Sequence, residues 1–165
     1  MIAFTLALLL TQAAPPSAPS SATAANDAGI GVRRAPVAFT PSNDAAIIEN
    51  SGSTNFAGFK IAVESNGSAL VSEPGGVRRG TVSRATTKWF FSHLATDRPL
   101  DRLAVDRCVK PVSFASTTTV TWLGQHSPDL LCGGSGAATE LNRTIGAIER
   151  QLGVVPQKRG LRYPM

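Results

Sequence analysis

A period-two pattern on either side of Asn66-Gly67 is the feature that most constrains the fold of this chain. Apolar residues alternate with polar or small ones over 59–64. An Asn-Gly pair between two such runs is typical of a two-residue type I′ turn, because both central residues of that turn need φ above zero. The pattern predicts an antiparallel hairpin in which Val63 faces Leu70. A third strand is expected over 46–50.

A first helix is predicted over 83–97. Apolar side chains recur there at spacings of three to five residues, which is typical of a helix with one buried face. The Arg98-Pro99 pair follows the pattern and ends it, because proline cannot continue a helix. The spacing indicates that Trp89 and Phe90 lie in the core rather than on a surface that stacks against a ligand.

A second helix is predicted over 138–152. Leucine and isoleucine recur in it at i, i+4, i+7 and i+11, while charged residues occupy positions between them. Gly153 stands where a glycine with positive φ commonly ends a helix. These features indicate an amphipathic helix that packs on the sheet by one apolar stripe.

Between the two predicted helices, Cys108 and Cys132 flank a long predicted strand. Over 112–122 apolar residues alternate with serine or threonine, so one face is expected to be buried and the other to carry hydroxyls. The hydroxyl face comprises Thr117, Thr119 and Thr121. The SPDLLC stretch can return as a short partner strand, which would bring the two cysteines together. In an exported protein such a pair is expected to form a disulfide.

Both ends of the chain carry targeting or linker signals. Residues 1–24 join an apolar run, too short to span a bilayer, to a small-residue cleavage zone, as in a secretory signal peptide. Residues 25–45 are predicted to be a disordered tether and 154–165 a flexible basic tail. We expect export to the periplasm or the exterior, with no transmembrane helix in the mature chain.

Residues 46–153 remain as one domain of ordinary size. Their order of strands, helix, strands and helix predicts an α+β fold, with a small, mainly antiparallel sheet, two helices on one face and one disulfide. In its IIENSGSTNFAGFKIAVESNGSALV, WFFSHL, TTTVTWLG and ATELNRTIGAIERQLG stretches, the chain resembles uncharacterised bacterial exported domains. That resemblance implies this fold and an envelope location, and it implies no activity.

The HSPD stretch holds the densest group of chemically active side chains. His126, Ser127 and Asp129 are the residue types of a hydrolytic triad, but the members of a triad must converge from different directions. Adjacent residues around Pro128 are more typical of a turn. A small serine hydrolase that uses His126 or His93 is the alternative function.

Composition limits the other kinds of site. Two histidines and two cysteines that are expected to pair cannot supply the usual four-ligand zinc sets, so no metal and no cofactor is expected. The net charge of +5 includes three basic pairs, and the sequence places them in the tether, a loop and the tail. These pairs are Arg33-Arg34, Arg78-Arg79 and Lys158-Arg159. They predict a basic surface that attracts an anionic envelope component, without a dedicated nucleic-acid motif.

The preferred interpretation of the sequence is a non-enzymatic binding module for a protein or an envelope polymer, with protease inhibition as a special case. The hydroxyl face of the predicted strand and an edge strand of the sheet are two candidate surfaces, and the loop before the second cysteine is a third. The candidate binding residues of that loop are Gln125, His126, Ser127 and Asp129.

Overall fold

The fold is built on one six-stranded antiparallel sheet. A computed structural model describes residues 37–110 and 115–154 of the chain. The strands are β1 Ala46–Gly52, β2 Ala57–Val63, β3 Ser68–Glu73, β4 Gly76–Thr81, β5 Thr118–Trp122 and β6 Gln125–His126. Their order across the sheet is β4-β3-β2-β1-β5-β6, and every neighbouring pair is antiparallel. β1 therefore lies inside the sheet, between β2 and β5, and β5 follows the first helix in the chain.

Two α-helices complete the fold, α1 Arg84–Thr96 and α2 Gly136–Gln151. Each begins at a serine that accepts a hydrogen bond from the first helical turn, Ser83 for α1 and Ser135 for α2. Short 3-10 helices stand at Leu100–Arg102 and Leu130–Cys132. Neither α-helix in this part of the chain has the length and hydropathy to cross a bilayer.

The core lies between the helices and one face of the sheet. Val120, Ile48, Ile61 and Val71 are directly opposite one another on four neighbouring strands, and all four are fully buried. The helices close this row mainly with Phe90, Leu94, Leu141, Ile145 and Ile148. The predicted α+β architecture, with two helices on one face of an antiparallel sheet, is confirmed.

The first hairpin is present, but its turn differs from the prediction. Val63 lies opposite Ala69 rather than Leu70. The Glu64 N–H donates to Ser68 O at 2.8 Å, and only Gly67, with φ +90°, has positive φ in the turn. Because the loop contains one more residue than a type I′ turn, the prediction that Asn66 and Gly67 both take positive φ is wrong.

β4 was not predicted, because the sequence placed Arg78-Arg79 in a loop. The structure places both arginines in an edge strand that returns from β3 through Pro74-Gly75. Arg78 lies on the helix-covered side, opposite Val71, and its Nε is 3.1 Å from Glu73 Oε2. The sequence signal was weak because glycines and charged residues replace the usual apolar alternation.

The second hairpin is also present, but β5 begins at Thr118, so residues 115–117 of the predicted long strand lie before it. Val112 and Phe114, at the predicted start of the long strand, lie outside the described residues. Only Gln125–His126 pairs back as β6, and Leu130–Cys132 is a 3-10 helix rather than a strand. The expected disulfide joins Cys108 and Cys132, with an S–S distance of 1.96 Å.

Helix α1 spans nearly the predicted residues, but one predicted core residue is on the surface. Phe90 is fully buried, whereas Trp89 is 54% exposed, so the prediction for Trp89 is wrong. The buried stripe comprises Thr87, Phe90 and Leu94, which are three and four residues apart. Trp89 lies 100° around the helix from Phe90, and this places it beyond the stripe. Helix α2 follows its predicted stripe closely, with Leu141, Ile145, Ile148 and Leu152 all buried.

The predicted signal peptide, most of the predicted tether and nearly all of the predicted tail lie outside the described residues. Within the described part, the segment 37–45 contacts the end of the sheet. Ser42 N and Oγ donate to the two carboxylate oxygens of Glu64, at 3.2 and 2.5 Å. Trp122 Nε1 donates to Asp44 O at 3.1 Å, and Ala45 is 5% exposed. This segment therefore contributes contacts to the folded unit.

Candidate functional site

The fold separates the members of the HSPD stretch. His126 lies opposite Thr121, and its Nδ1 is 2.8 Å from Thr121 Oγ1 on the side of the sheet away from the helices. Ser127 is 1% exposed, and its Oγ accepts from Val120 N and donates to Pro128 O, both at 2.9 Å. The His126 side chain therefore lies on the open face of the sheet, and the Ser127 side chain lies in the core. In the part of the chain that the structure describes, no hydrogen bond joins them.

The Asp129 carboxylate is held by backbone hydrogen bonds and an ion pair. Its carboxylate accepts from the backbone N–H of Thr118 at 3.0 Å and of Leu131 at 3.1 Å, and it is ion-paired with Lys110. Desolvation raises the pKa of Asp129, but the hydrogen bonds from Lys110, Thr118 and Leu131 and the charge of Lys110 outweigh it and hold this pKa below its ordinary value. Asp129 therefore ties the start of β5 to the following 3-10 helix.

Asp129 also lies beside the disulfide, so that its carboxylate and the sulfurs of Cys108 and Cys132 are all within 4.8 Å of one another. Three such groups could hold a metal ion if both cysteines were thiolates. Here the sulfurs are bonded to each other, and Lys110 already neutralises the carboxylate. This donor set suits a structural cross-link better than a cation.

Gln125 points to the other side of the second hairpin. It lies opposite Trp122, and its Oε1 accepts from Leu100 N at 3.2 Å and from Arg98 Nε at 3.4 Å. The side chain thereby connects β6 to the residues that follow α1. The four predicted loop residues therefore do not form one surface: only His126 faces the open side of the sheet.

The hydroxyl face predicted for β5 lies on the side of the sheet that the helices leave open. Thr119 and Thr121 alternate with the buried residues Thr118 and Val120, and Thr117 is exposed just before the strand. Thr118 had no predicted role. Its Oγ1 accepts from the buried Asn50 Nδ2 at 2.9 Å and so satisfies a polar pair in the core.

Neighbouring strands extend this face with charged and hydroxyl side chains. In the strand register Thr119 is opposite Glu49, Glu49 is opposite Lys60, and Lys60 is opposite Ser72. Glu49 Oε2 and Lys60 Nζ are 3.1 Å apart, and both side chains are about half exposed. We call Thr119, Glu49, Lys60 and Ser72 the polar row. A cleft of 300 Å³ lies at its β1–β3 end, lined in part by Glu49, Ser51, Lys60 and Ser72.

Sequence reasoning missed Glu49, Lys60 and Ser72. Each lies on a predicted strand next to a buried apolar residue, so the sequence could assign them to an exposed face. It could not align them with Thr119, because that requires knowing that β5 pairs with β1 and in which register.

His93 is the second predicted catalytic candidate, and it lies near the end of α1. Its Nδ1 is 3.2 Å from Asp97 Oδ2, one turn further along the helix, and its ring meets the edge of Trp89 with centroids 5.0 Å apart. A carboxylate that orients an imidazole is one part of a triad. Among the described residues, no hydrogen bond connects His93 to a serine hydroxyl.

The open face of the sheet thus brings together Thr119, Thr121 and His126, while Gln125, Ser127 and Asp129 support the hairpin and its connections. The polar row is the largest set of hydrogen-bonding side chains that the strand register aligns on that face. No protein-family model, no curated protein and no solved structure matches this chain.

Proposed function

We propose that this chain is an exported, non-enzymatic binding module that engages an envelope polymer or a protein through the open face of its sheet. The observation that carries the proposal is the polar row, in which four neighbouring strands each present one hydrogen-bonding side chain. Strands lie about 4.8 Å apart, so the row extends about 15 Å across the sheet.

The chemistry of the polar row suits a ligand rich in hydroxyls or amides. Thr119 and Ser72 offer hydroxyls that both donate and accept, Glu49 offers a carboxylate, and Lys60 offers an ammonium group. The Glu49–Lys60 pair is half exposed, and such surface pairs contribute only about 0–1 kcal/mol to folding. A contribution to folding stability therefore does not explain why Glu49 and Lys60 lie on the open face of the sheet.

The framework beneath the polar row keeps it in place. β1 and β2 are interior strands, and their inward side chains Ile48 and Ile61 are fully buried under the helices. A rigid surface loses little conformational entropy when it binds, which favours affinity. The support for export is the disulfide, because such bonds persist in oxidising compartments and are rare in the cytosol.

The test is a change on the polar row that adds bulk and charge without disturbing the core. Thr119→Arg should release the protein from the envelope fraction of its native host, because the new side chain covers the row. Ala95→Arg is the matched control, since Ala95 is exposed on α1 in the helix layer. It should stay with the envelope as the unaltered protein does. Equal retention of the two variants would contradict the proposal.

Enzymatic treatment of the envelope fraction that retains the unaltered protein then distinguishes the two classes of ligand. Release by an enzyme that degrades the cell-wall polymer indicates a polymer ligand. Release by a protease to which the disulfide-closed domain is itself resistant indicates a protein ligand.

A further inference from the structure

A second surface lies between the two helices, on the side of the molecule opposite the polar row. It is a groove of 380 Å³ in which Ala85, Thr144 and Ala147 provide small side chains and Trp89, Arg143 and Arg150 provide large ones. We call it the helix groove. Its lining combines an aromatic ring on α1 with two guanidinium groups on α2.

Trp89 is the main apolar feature of the helix groove. The indole is 54% exposed, although it is among the largest apolar side chains of the chain. The His93 ring packs edge to face against the Trp89 indole, and His93 Nδ1 is 3.2 Å from Asp97 Oδ2. These contacts limit the motion of the indole while its surface stays accessible. Tryptophan and arginine are enriched among the residues that dominate binding energy at protein interfaces.

The two arginines set the charge and the length of the helix groove. Arg143 and Arg150 are two helical turns apart, which is about 10 Å along α2. Arg143 is ion-paired with Glu140, and the Arg143 side chain remains 69% exposed. Among the residues described, the Arg150 guanidinium group makes no hydrogen bond or ion pair, and its charge acts on the neighbouring Glu149 carboxyl. The groove therefore presents two cations on one rim and an aromatic ring on the other.

We propose that the helix groove docks an acidic amphipathic helix of a partner protein. Its apolar stripe would pack on Trp89, and two carboxylates two turns apart would pair with Arg143 and Arg150. The small side chains Ala85 and Ala147 favour a helix as the occupant, because they let a third helix approach both α1 and α2 closely. A helical ligand also repeats its side chains at the spacing of the two arginines.

Charge disfavours a second copy of this chain and its C-terminal residues as occupants. A second copy carries a net charge of +5, and the C-terminal residues include Lys158, Arg159 and Arg162. Like charges brought together at an interface oppose binding. The partner is therefore a different, acidic protein. This inference does not rest on the proposed function of the sheet face, and either can fail without the other.

The experiment uses a stapled helical peptide as the probe. The peptide carries two glutamates two turns apart with leucines between them, and the control peptide has glutamines in place of the glutamates. Binding is followed by NMR through the two indole N–H signals of the protein, which Trp89→Phe assigns. Trp122 is the internal control, because its Nε1 is hydrogen-bonded to Asp44 O at 3.1 Å, outside the groove.

The acidic peptide should shift the Trp89 signal and leave the Trp122 signal in place. Arg143→Gln with Arg150→Gln should weaken its binding about tenfold or more, as expected when charged anchors at an interface are lost. The matched control is Arg79→Gln with Arg102→Gln, which removes the same charge at two exposed residues outside the helix groove and should change the affinity less than about twofold.

Three results would overturn the proposal. The first is equal binding of the glutamine peptide, and the second is an equal loss of affinity in both charge variants. The third is a shift of the Trp89 signal by anionic vesicles or by an anionic polysaccharide but not by the acidic peptide, which would assign the helix groove to another class of ligand.

Discussion

At the residue scale, Leu123 has an unusual backbone conformation. It has φ +48° and the following Gly124 has φ +74°, and these two residues connect Trp122 to its partner Gln125. Two positive φ values in a two-residue loop define the type I′ turn. The sequence predicted that turn at Asn66-Gly67, but the fold uses it at a leucine. Left-handed backbone costs a leucine about 1–2 kcal/mol, because its Cβ approaches the carbonyl oxygen.

Leu123→Asn should therefore raise the free energy of unfolding by about 1 kcal/mol, because asparagine tolerates this conformation. Leu123 is 47% exposed, so the substitution removes little buried apolar surface. Urea denaturation measures the effect. Leu131→Asn is the control, since Leu131 is 41% exposed and its φ is not positive, and it should bring no gain. A lower stability of Leu123→Asn would contradict this reading of the turn.

Glu149, on α2, also departs from ordinary behaviour. Desolvation raises the pKa of its carboxyl to about 7, although the neighbouring charge of Arg150 opposes the shift. In the unfolded chain this pKa is about 4.3. Between the two values the folded state binds more protons than the unfolded state, so the free energy of unfolding falls as pH rises.

The side chain is partly exposed, so solvent screening reduces the effect to about 1–2 kcal/mol between pH values of about 5 and 8. Glu149→Gln should abolish that part of the decrease, and Glu140→Gln should leave it in place. Denaturant titrations at both pH values measure it. If Glu149→Gln shows the same decrease as the unaltered protein, the assignment of this pH dependence to Glu149 is wrong.

At the element scale, the sequence predicted most elements but not all of their contacts. α2 and the first hairpin were predictable because each has a regular apolar repeat. β4 was missed because Gly76, Arg78 and Gly80 follow no such repeat. Trp89 was assigned to the wrong face, because one turn of aromatic residues does not reveal which of them faces the sheet.

The candidate site was predicted in the same uneven way. Local alternation placed Thr119 and Thr121 on an exposed face, but it could not show that β1 and β2 continue that face with Glu49 and Lys60. In the HSPD stretch, neighbouring letters suggested one site. The extended backbone turns His126 and Ser127 to opposite sides, since successive side chains of a strand alternate.

Asp129 is the residue that joins these elements most directly. Asp129→Ala would remove the acceptor for Thr118 N and Leu131 N and leave the Lys110 ammonium group without its partner. Hydrogen bonds to charged groups contribute about 1.5–3 kcal/mol, so the free energy of unfolding should fall by about 2–3 kcal/mol. Thermal or urea unfolding measures the loss. Asp101→Ala, at an exposed carboxylate, should change stability by less than about 0.5 kcal/mol. Equal effects of the two substitutions would contradict the role of Asp129.

At the scale of the whole molecule, the two faces of the sheet have different roles. The helix-covered face holds the core. The disulfide fixes the chain on both sides of β5, because it closes a loop whose ends are 24 residues apart. A cross-link over a loop of that length stabilises a fold by about 3 kcal/mol. With this support, the opposite face can carry polar side chains that contribute little to stability.

The most direct test of the open face is photo-crosslinking in the native host. A photoreactive amino acid replaces Thr119 in one variant and Ala95 in the other. If the polar row is the binding surface, light should join position 119 to an envelope polymer or to one defined protein, while position 95 gives no such product. The absence of a product from position 119, or the same product in equal yield from position 95, would show that the open face of the sheet is not where this protein binds.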